Sequence, residues 1–205
     1  LRAARRNQIE EAQDARIGQK RLLELTARRQ LAGFERMRDK LQAKYDFQYG
    51  ETCPKFTRDF DELVYVLGSI SGLQAVVNDI ASQQMVGVST DIAPKAERAL
   101  KCVSNAKWWG APQAARAVVW NILPGMSEGK DIWGTFNLSM MIGERTGVRL
   151  PHVFQVVAAV SADDTETARK TMKRFANVEN FKASEDYRIF DVMAKMQMNN
   201  ISDRM

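Results

Sequence analysis

The chain is 205 residues long, 45% hydrophobic and 27% charged, with a net charge of +5. That length supports one substantial domain or a small domain with a long appendage, and that composition excludes disorder over most of it. The charge is uneven: residues 1–48 carry 12 Lys/Arg and 7 Asp/Glu, while the remainder balances at 18 and 18, so an electrostatic partner is to be sought on the first segment.

The first residue is Leu1, and no basic start, apolar core and small-residue cleavage site follow it. The expectation is a mature form or part of something longer. Residues 1–48 hold no Pro and two Gly. Apolar or small residues recur at Leu23, Ala27, Leu31, Phe34, Met37, Leu41 and Tyr45, in steps of three and four. Projected on a helix they lie within about 60° of Phe34, a single narrow stripe. Ile9 and Ala12 extend it and Arg16 interrupts it. This predicts one long amphipathic helix. Its face of Leu23, Leu31, Phe34, Met37, Leu41 and Tyr45 needs a partner helix, because a lone helix of this kind is marginal in water. Arg21, Arg28, Arg29, Arg36 and Lys40 project on the opposite side, where they can follow a phosphate backbone, an acidic protein or an anionic lipid surface. Interspersed Asp14, Glu24, Glu35 and Asp39, and the lack of an aromatic residue to stack a base, favour a plain solvated face.

Gly50 and Pro54 end this helix. A second is predicted from about Thr57 to Gln84, with Phe56, Phe60, Leu63, Leu67, Ile70, Leu73, Val77 and Ile80 at helical spacing and no charge between Leu63 and Asn78. A helix apolar all round is buried, and this one can fold back antiparallel on the first, with Cys53 near the tip. Gly68 and Gly72 form a G-x-x-x-G that permits close helix approach. Ser69, Ser71, Gln74 and Asn78 dilute the apolar run, so a core helix is expected and a transmembrane span is not, although membrane contact stays open. Cys53 and Cys102 are the chain's two cysteines; a disulfide and a pair of buried thiols both remain open.

Further along, Thr90 or Asp91 caps a helix with Pro94 in its first turn, running to about Asn105. Gly110 and Pro112 break and restart it, and Pro124-Gly125 stop the next. Another helix spans Glu128 to Arg145, with Gly147 as its cap. Residues 152–160 are Val-rich and read equally as strand or helix. Asp163 with Glu166 makes a capping-box pattern, and Lys170, Lys173 and Arg174 close that helix. A final helix begins at Ser184 and reaches Met205 without a stop signal, as though it continued. The fold class is therefore mainly α, with at most one or two short strands. A long helical hairpin is expected over 1–88, a compact multi-helix domain over 89–180, and a C-terminal helix over 181–205.

Residues suited to chemistry are few. His152 is the only histidine, so any Cys–His or Ser–His system must use it, and no G-x-S-x-G turn accompanies it. Two cysteines and one histidine do not make a zinc set, and Asp59, Asp61, Glu62, Asp163 and Asp164 sit where helix starts favour acids. The segment 125–131, Gly-Met-Ser-Glu-Gly-Lys-Asp, lacks phosphate-loop spacing. Asn137 and Asn200 stand in glycosylation sequons, a pattern short enough to arise by chance. No catalytic, cofactor or metal residue is expected. Trp108 and Trp109 precede the Gly-Ala-Pro turn, with Trp120 and Trp133 close behind; they either fill a helix junction or form a protein interface, and core packing is the favoured reading. Met193, Met196, Met198 and Met205 read as adaptable packing.

These features suggest a non-catalytic helical subunit of a larger machine, a secretion apparatus, pilus-like structure or virion, with protein subunits as partners and an extracytoplasmic or virion location. In layout, long helices with a small globular insertion, the chain resembles the minor pilus subunits of type IV secretion systems; no motif of that family occurs and no residue role is carried over. One alternative is a nucleic-acid-binding accessory protein using the basic helix. A second is an enzyme pairing His152 with a cysteine.

Overall fold

In the computed structural model, which describes residues 9–205, the chain is mainly α: eight α-helices, one short 3₁₀ turn and no strand among the described residues. It divides into two units, Leu1–Ala99 and Leu100–Met205.

The first unit is a helical hairpin with a third helix against it. Helix α1 (Ile9–Tyr45) is 37 residues long and α2 (Asp59–Ala81) is 23, so α1 is the longer by roughly 20 Å at 1.5 Å per residue. They run antiparallel: Lys44 and Tyr45 meet Asp61 at one end, and Lys20 meets Gln83 at the other. The partner that the α1 stripe requires is thus α2 of the same chain. Ala27, Phe34, Met37 and Leu41 are buried at the seam, while Leu23, Leu31 and Tyr45 lie half-buried along its edges. The two glycines of the G-x-x-x-G make this possible. A Cβ at Gly68 would stand 2.6 Å from the Met37 methyl group, and one at Gly72 would stand 2.7 Å from the Phe34 ring. By length and composition alone α2 is long and apolar enough to cross a membrane, a test that a buried core helix also passes; 56% of its most apolar window is buried inside the protein.

An aromatic cluster packs at the turn end of the hairpin. Phe47, Tyr49, Phe56 and Tyr65 meet edge to face at 5.2–5.8 Å, and the Tyr49 hydroxyl donates to Ser69 Oγ at 2.8 Å. After α2, the buried Asp79 carboxylate accepts the backbone N–H groups of Val86 and Val88, tying down the following loop. Helix α3 (Ile92–Ala99) is shorter than expected and passes into a 3₁₀ turn at Leu100–Cys102. The Asp91 side chain bonds Lys95 Nζ and Ser89 Oγ. Because α3 packs on α2 and Arg98 Nε donates to the Gly50 carbonyl at 2.6 Å, it belongs with the hairpin, and the division falls beyond residue 88.

The second unit holds α4 (Ala111–Ile122), α5 (Ile132–Thr146), α6 (Leu150–Ser161), α7 (Thr165–Ala176) and α8 (Arg188–Ser202). The segment 152–160, open between strand and helix in the sequence, is the middle of α6. Pro151 sits in its first turn, and α6 packs against α4, α5, α7 and α8, which accounts for its lack of a polar face. Several boundaries move for local reasons. Helix α5 starts at Ile132, because Asp131 and not Glu128 supplies the cap, accepting from Gly134 N at 2.9 Å. Gly147 ends it in the left-handed conformation, as expected. Asp164, rather than Asp163, caps α7 by accepting from Thr167 N, and Asp163 itself has a positive φ. Helix α8 begins at Arg188; Ser184 Oγ instead accepts from Tyr187 N in the turn before it.

The tryptophan pair is core, the favoured of the two sequence readings, and not the interface alternative. Trp108 and Trp109 are 1% and 2% exposed. They meet each other edge to face at 5.8 Å, and Trp109 lies against Tyr187 and Phe190 at 4.8 and 5.0 Å. An interface role for these two side chains has no accessible ring to act through. Their junction closes because Gly110 takes a positive φ and lies so near α5 that a Cβ would stand 2.3 Å from the Ser139 carbonyl oxygen. Asn105 Oδ1 caps α4 from a distance by accepting from Gln113 N at 3.0 Å.

Candidate functional site

The five cations singled out on α1, Arg21, Arg28, Arg29, Arg36 and Lys40, are all exposed. Arg28 is held by Glu24 one turn earlier at 2.9 Å; the other four form no ion pair with the described residues. Arg36 and Lys40 do more than face solvent. They line an open trough of about 730 Å³ on the flank of the hairpin, whose apolar surface comes from Met37, Leu41, Val64 and Phe60. Phe60 is 65% exposed, although the α2 periodicity placed it on the buried face. It lies in the first turn of α2 and lines the trough instead of the buried seam. Two sets read as separate from sequence, the partner-helix face and the cationic face, therefore meet along one edge.

Cys53 and Cys102 are each disulfide-bonded, so the buried-thiol alternative does not hold. No thiol is then left to act with His152. The histidine is fully buried, its Nε2 donating to Glu144 Oε1 at 2.9 Å, and Nδ1 finds no partner. Burial, only partly offset by Glu144, pushes its pKa down to about 4, so at neutral pH the ring is uncharged. Protonating Nδ1 would place a charged donor opposite nothing. Glu144 also takes Arg174 in a bidentate pair, from Nε at 2.6 Å and Nη2 at 2.9 Å. Burial pushes the Glu144 carboxyl up, but the hydrogen bonds from Arg174 and His152 outweigh this and hold it below its ordinary value.

A second buried ion pair lies nearby. Asp191 accepts from Arg149 Nε at 3.0 Å, Nη2 at 2.7 Å and the Arg149 backbone N–H at 2.9 Å. The guanidinium is held between the Phe175 and Phe181 rings, 4.1 and 3.9 Å from their centroids. With every donor directed, this is a structural tie rather than a reactive centre.

A depression that combines an unpartnered buried amide oxygen with an exposed ring lies between α5, α6 and α7. It measures about 270 Å³ and is lined by Trp133, Asn137 and Met140 from α5, Gln155 from α6, and Thr167, Lys170, Thr171 and Arg174 from α7. The α5 and α7 residues recur at helical spacing, so each helix presents one face to it. None of these residues was singled out for ligand binding from the sequence. The α7 set looked like a polar face complementing the helix dipole, and Gln155 was hidden inside an apolar run. Among the described residues, no group of three or more His, Cys, Asp or Glu could hold a metal ion. The two sequons fall on helices: Asn137 Oδ1 accepts from Arg174, Ser139 is buried, and Asn200 is exposed on α8. On α8, Met193 and Met196 are exposed and Met198 is buried. Compared with known proteins, the chain matches no family profile, no curated protein and no solved structure.

Proposed function

We infer that the chain is a non-catalytic helical subunit that works by assembly with other protein subunits, and that the trough on the α1/α2 flank receives a partner helix with an acidic edge. The observation that carries this reading is the coincidence of an apolar floor containing the exposed Phe60 with the cationic rim of Arg36 and Lys40. A large exposed aromatic beside arginine is the residue pairing that dominates protein interfaces, and a groove between helices accepts an amphipathic helix. The apolar residues left exposed on α8, Ile189, Val192, Met193 and Met196, lie at helical spacing and offer a second such surface. The disulfide favours an oxidising compartment outside the cytoplasm.

A photocrosslinker placed at Phe60 in the native source tests this. The expected result is one dominant product that is lost when Arg36 and Lys40 are both changed to Glu, with the bound peptide identified by mass spectrometry as an acidic amphipathic helix. Its identity also assigns the machine: secretion apparatus, pilus-like structure or virion. The same pattern from a control position on the solvent face, such as Glu24, defeats the reading.

Nucleic acid is the second reading, favoured by one observation: the cations from Arg21 to Lys40 run along some 28 Å of α1, judged by a rise of about 1.5 Å per residue, and four of them have no ion-pair partner among the described residues. It requires duplex binding whose logarithm falls with the logarithm of salt at about 0.9 per phosphate contacted.

A further inference from the structure

The geometry points to the pocket between α5, α6 and α7 as a binding site for a small planar carboxylate that carries one N–H or O–H donor. This goes beyond the assembly reading and does not depend on it.

Three properties of the lining select that chemistry. The first is charge. Arg174 is neutralised by Glu144, whereas Lys170 has no ion-pair partner among the described residues, and no carboxylate lines the pocket. The site therefore carries one uncompensated positive charge and suits a monoanion. Asn137 adds to it: its Oδ1 is taken by Arg174 Nη1 at 2.6 Å, which orients the amide and leaves its N–H₂ as a donor. The second is the deep end. Gln155 is 8% exposed, and its Oε1 has no hydrogen-bond partner. A buried amide oxygen of this kind calls for a donor, which the occupant can bring. The third is shape. Trp133, 39% exposed and tilted against Phe136 at 5.8 Å, offers an indole face, and Met140 supplies a polarisable apolar contact from the same helix face. At about 270 Å³ the pocket is at or below the small end of ligand sites, room for one ring system and its carboxylate.

Thr167 and Thr171 fix polarity more than charge. The Thr171 hydroxyl donates to the Thr167 carbonyl at 2.8 Å and so presents lone pairs rather than its proton. A dianion is disfavoured by those lone pairs and by the single free cation.

Indole-3-carboxylate is a suitable probe, followed by isothermal titration calorimetry and saturation-transfer NMR on the full chain. Binding in the micromolar to submillimolar range is expected, at least ten-fold weaker for Lys170→Met and for Gln155→Leu. N-methylindole-3-carboxylate, which lacks the donor, is expected to bind the unaltered protein as weakly as the parent probe binds Gln155→Leu; this reads the same hydrogen bond should that variant not fold. Indole without the carboxylate is expected to match the Lys170→Met loss. Absence of binding at millimolar probe overturns the assignment, as does an affinity unchanged by Lys170→Met. An N-methyl probe that binds as well as the parent overturns the donor requirement.

Discussion

In the first unit two long helices meet along an apolar seam made close by two glycines, and its buried Asp79 is satisfied by backbone N–H groups a few residues downstream. In the second unit four helices pack around a fifth, α6, and charged side chains are drawn inside to tie helix to helix: Arg149 to Asp191, and Glu144 to Arg174 and His152. The first arrangement relies on burial, which is non-directional and tolerant of small shifts. The second relies on partnered charge, which is safe only while every partner is present. The units should therefore fail in different ways.

The largest separation between them should come from Asp191→Ala. It leaves the Arg149 guanidinium buried without its counter-ion, and a loss of about 3–5 kcal/mol is expected for breaking a buried pair from one side. All four tryptophans, Trp108, Trp109, Trp120 and Trp133, lie in the second unit, so urea unfolding followed by tryptophan fluorescence reads this effect directly. A midpoint unchanged from the parent would show that the tie is dispensable.

Acidification should come next. The pKa of His152 is about 4 in the folded chain against 6.5 for the free group, so between those values the unfolded chain binds the extra proton. Stability is then full above about pH 6.5 and falls as the pH drops towards 4, by up to about 3 kcal/mol. Glu144, whose pKa is lowered by folding, adds a further loss below its ordinary value of 4.5, as the pH falls through its folded pKa. Unfolding midpoints measured from pH 7 to 4 should slope for the parent and flatten above pH 5 for His152→Gln. Equal slopes in the two proteins would remove His152 from the account.

The smallest of these effects is aimed at the other unit. Gly68→Leu drives a side chain into Met37, and overpacking of this kind costs about 1–3 kcal/mol. The loss should appear in the helical circular-dichroism signal, with tryptophan fluorescence at zero denaturant unchanged. A fluorescence change of equal size would show that the two units do not report separately.

The pattern of legibility follows the same contrast. The α1 stripe, the apolar α2, the Gly68/Gly72 approach and the Gly147 cap were readable because each is a matter of residues three or four apart on one helix. The capping error at Asp163 was a matter of one position: Asp164 has the same side chain, and only the turn geometry decides which carboxylate reaches Thr167 N. The Trp108–Trp109 pair was ambiguous because one sequence suits a junction or an interface, and burial against Tyr187 and Phe190 depends on residues about eighty positions away.

By itself, then, the amino-acid order determined that this protein is helical, that its first half folds back as a hairpin and that its excess positive charge gathers in residues 1–48, because periodicity, breakers and charge are local properties of a chain. Only the tertiary structure decided that 152–160 is the central helix of its unit, that neither cysteine is a free thiol, and that Trp133, Gln155 and Lys170 share one pocket. Those facts depend on which distant segments approach each other, and nothing in the spacing of neighbouring residues encodes that approach.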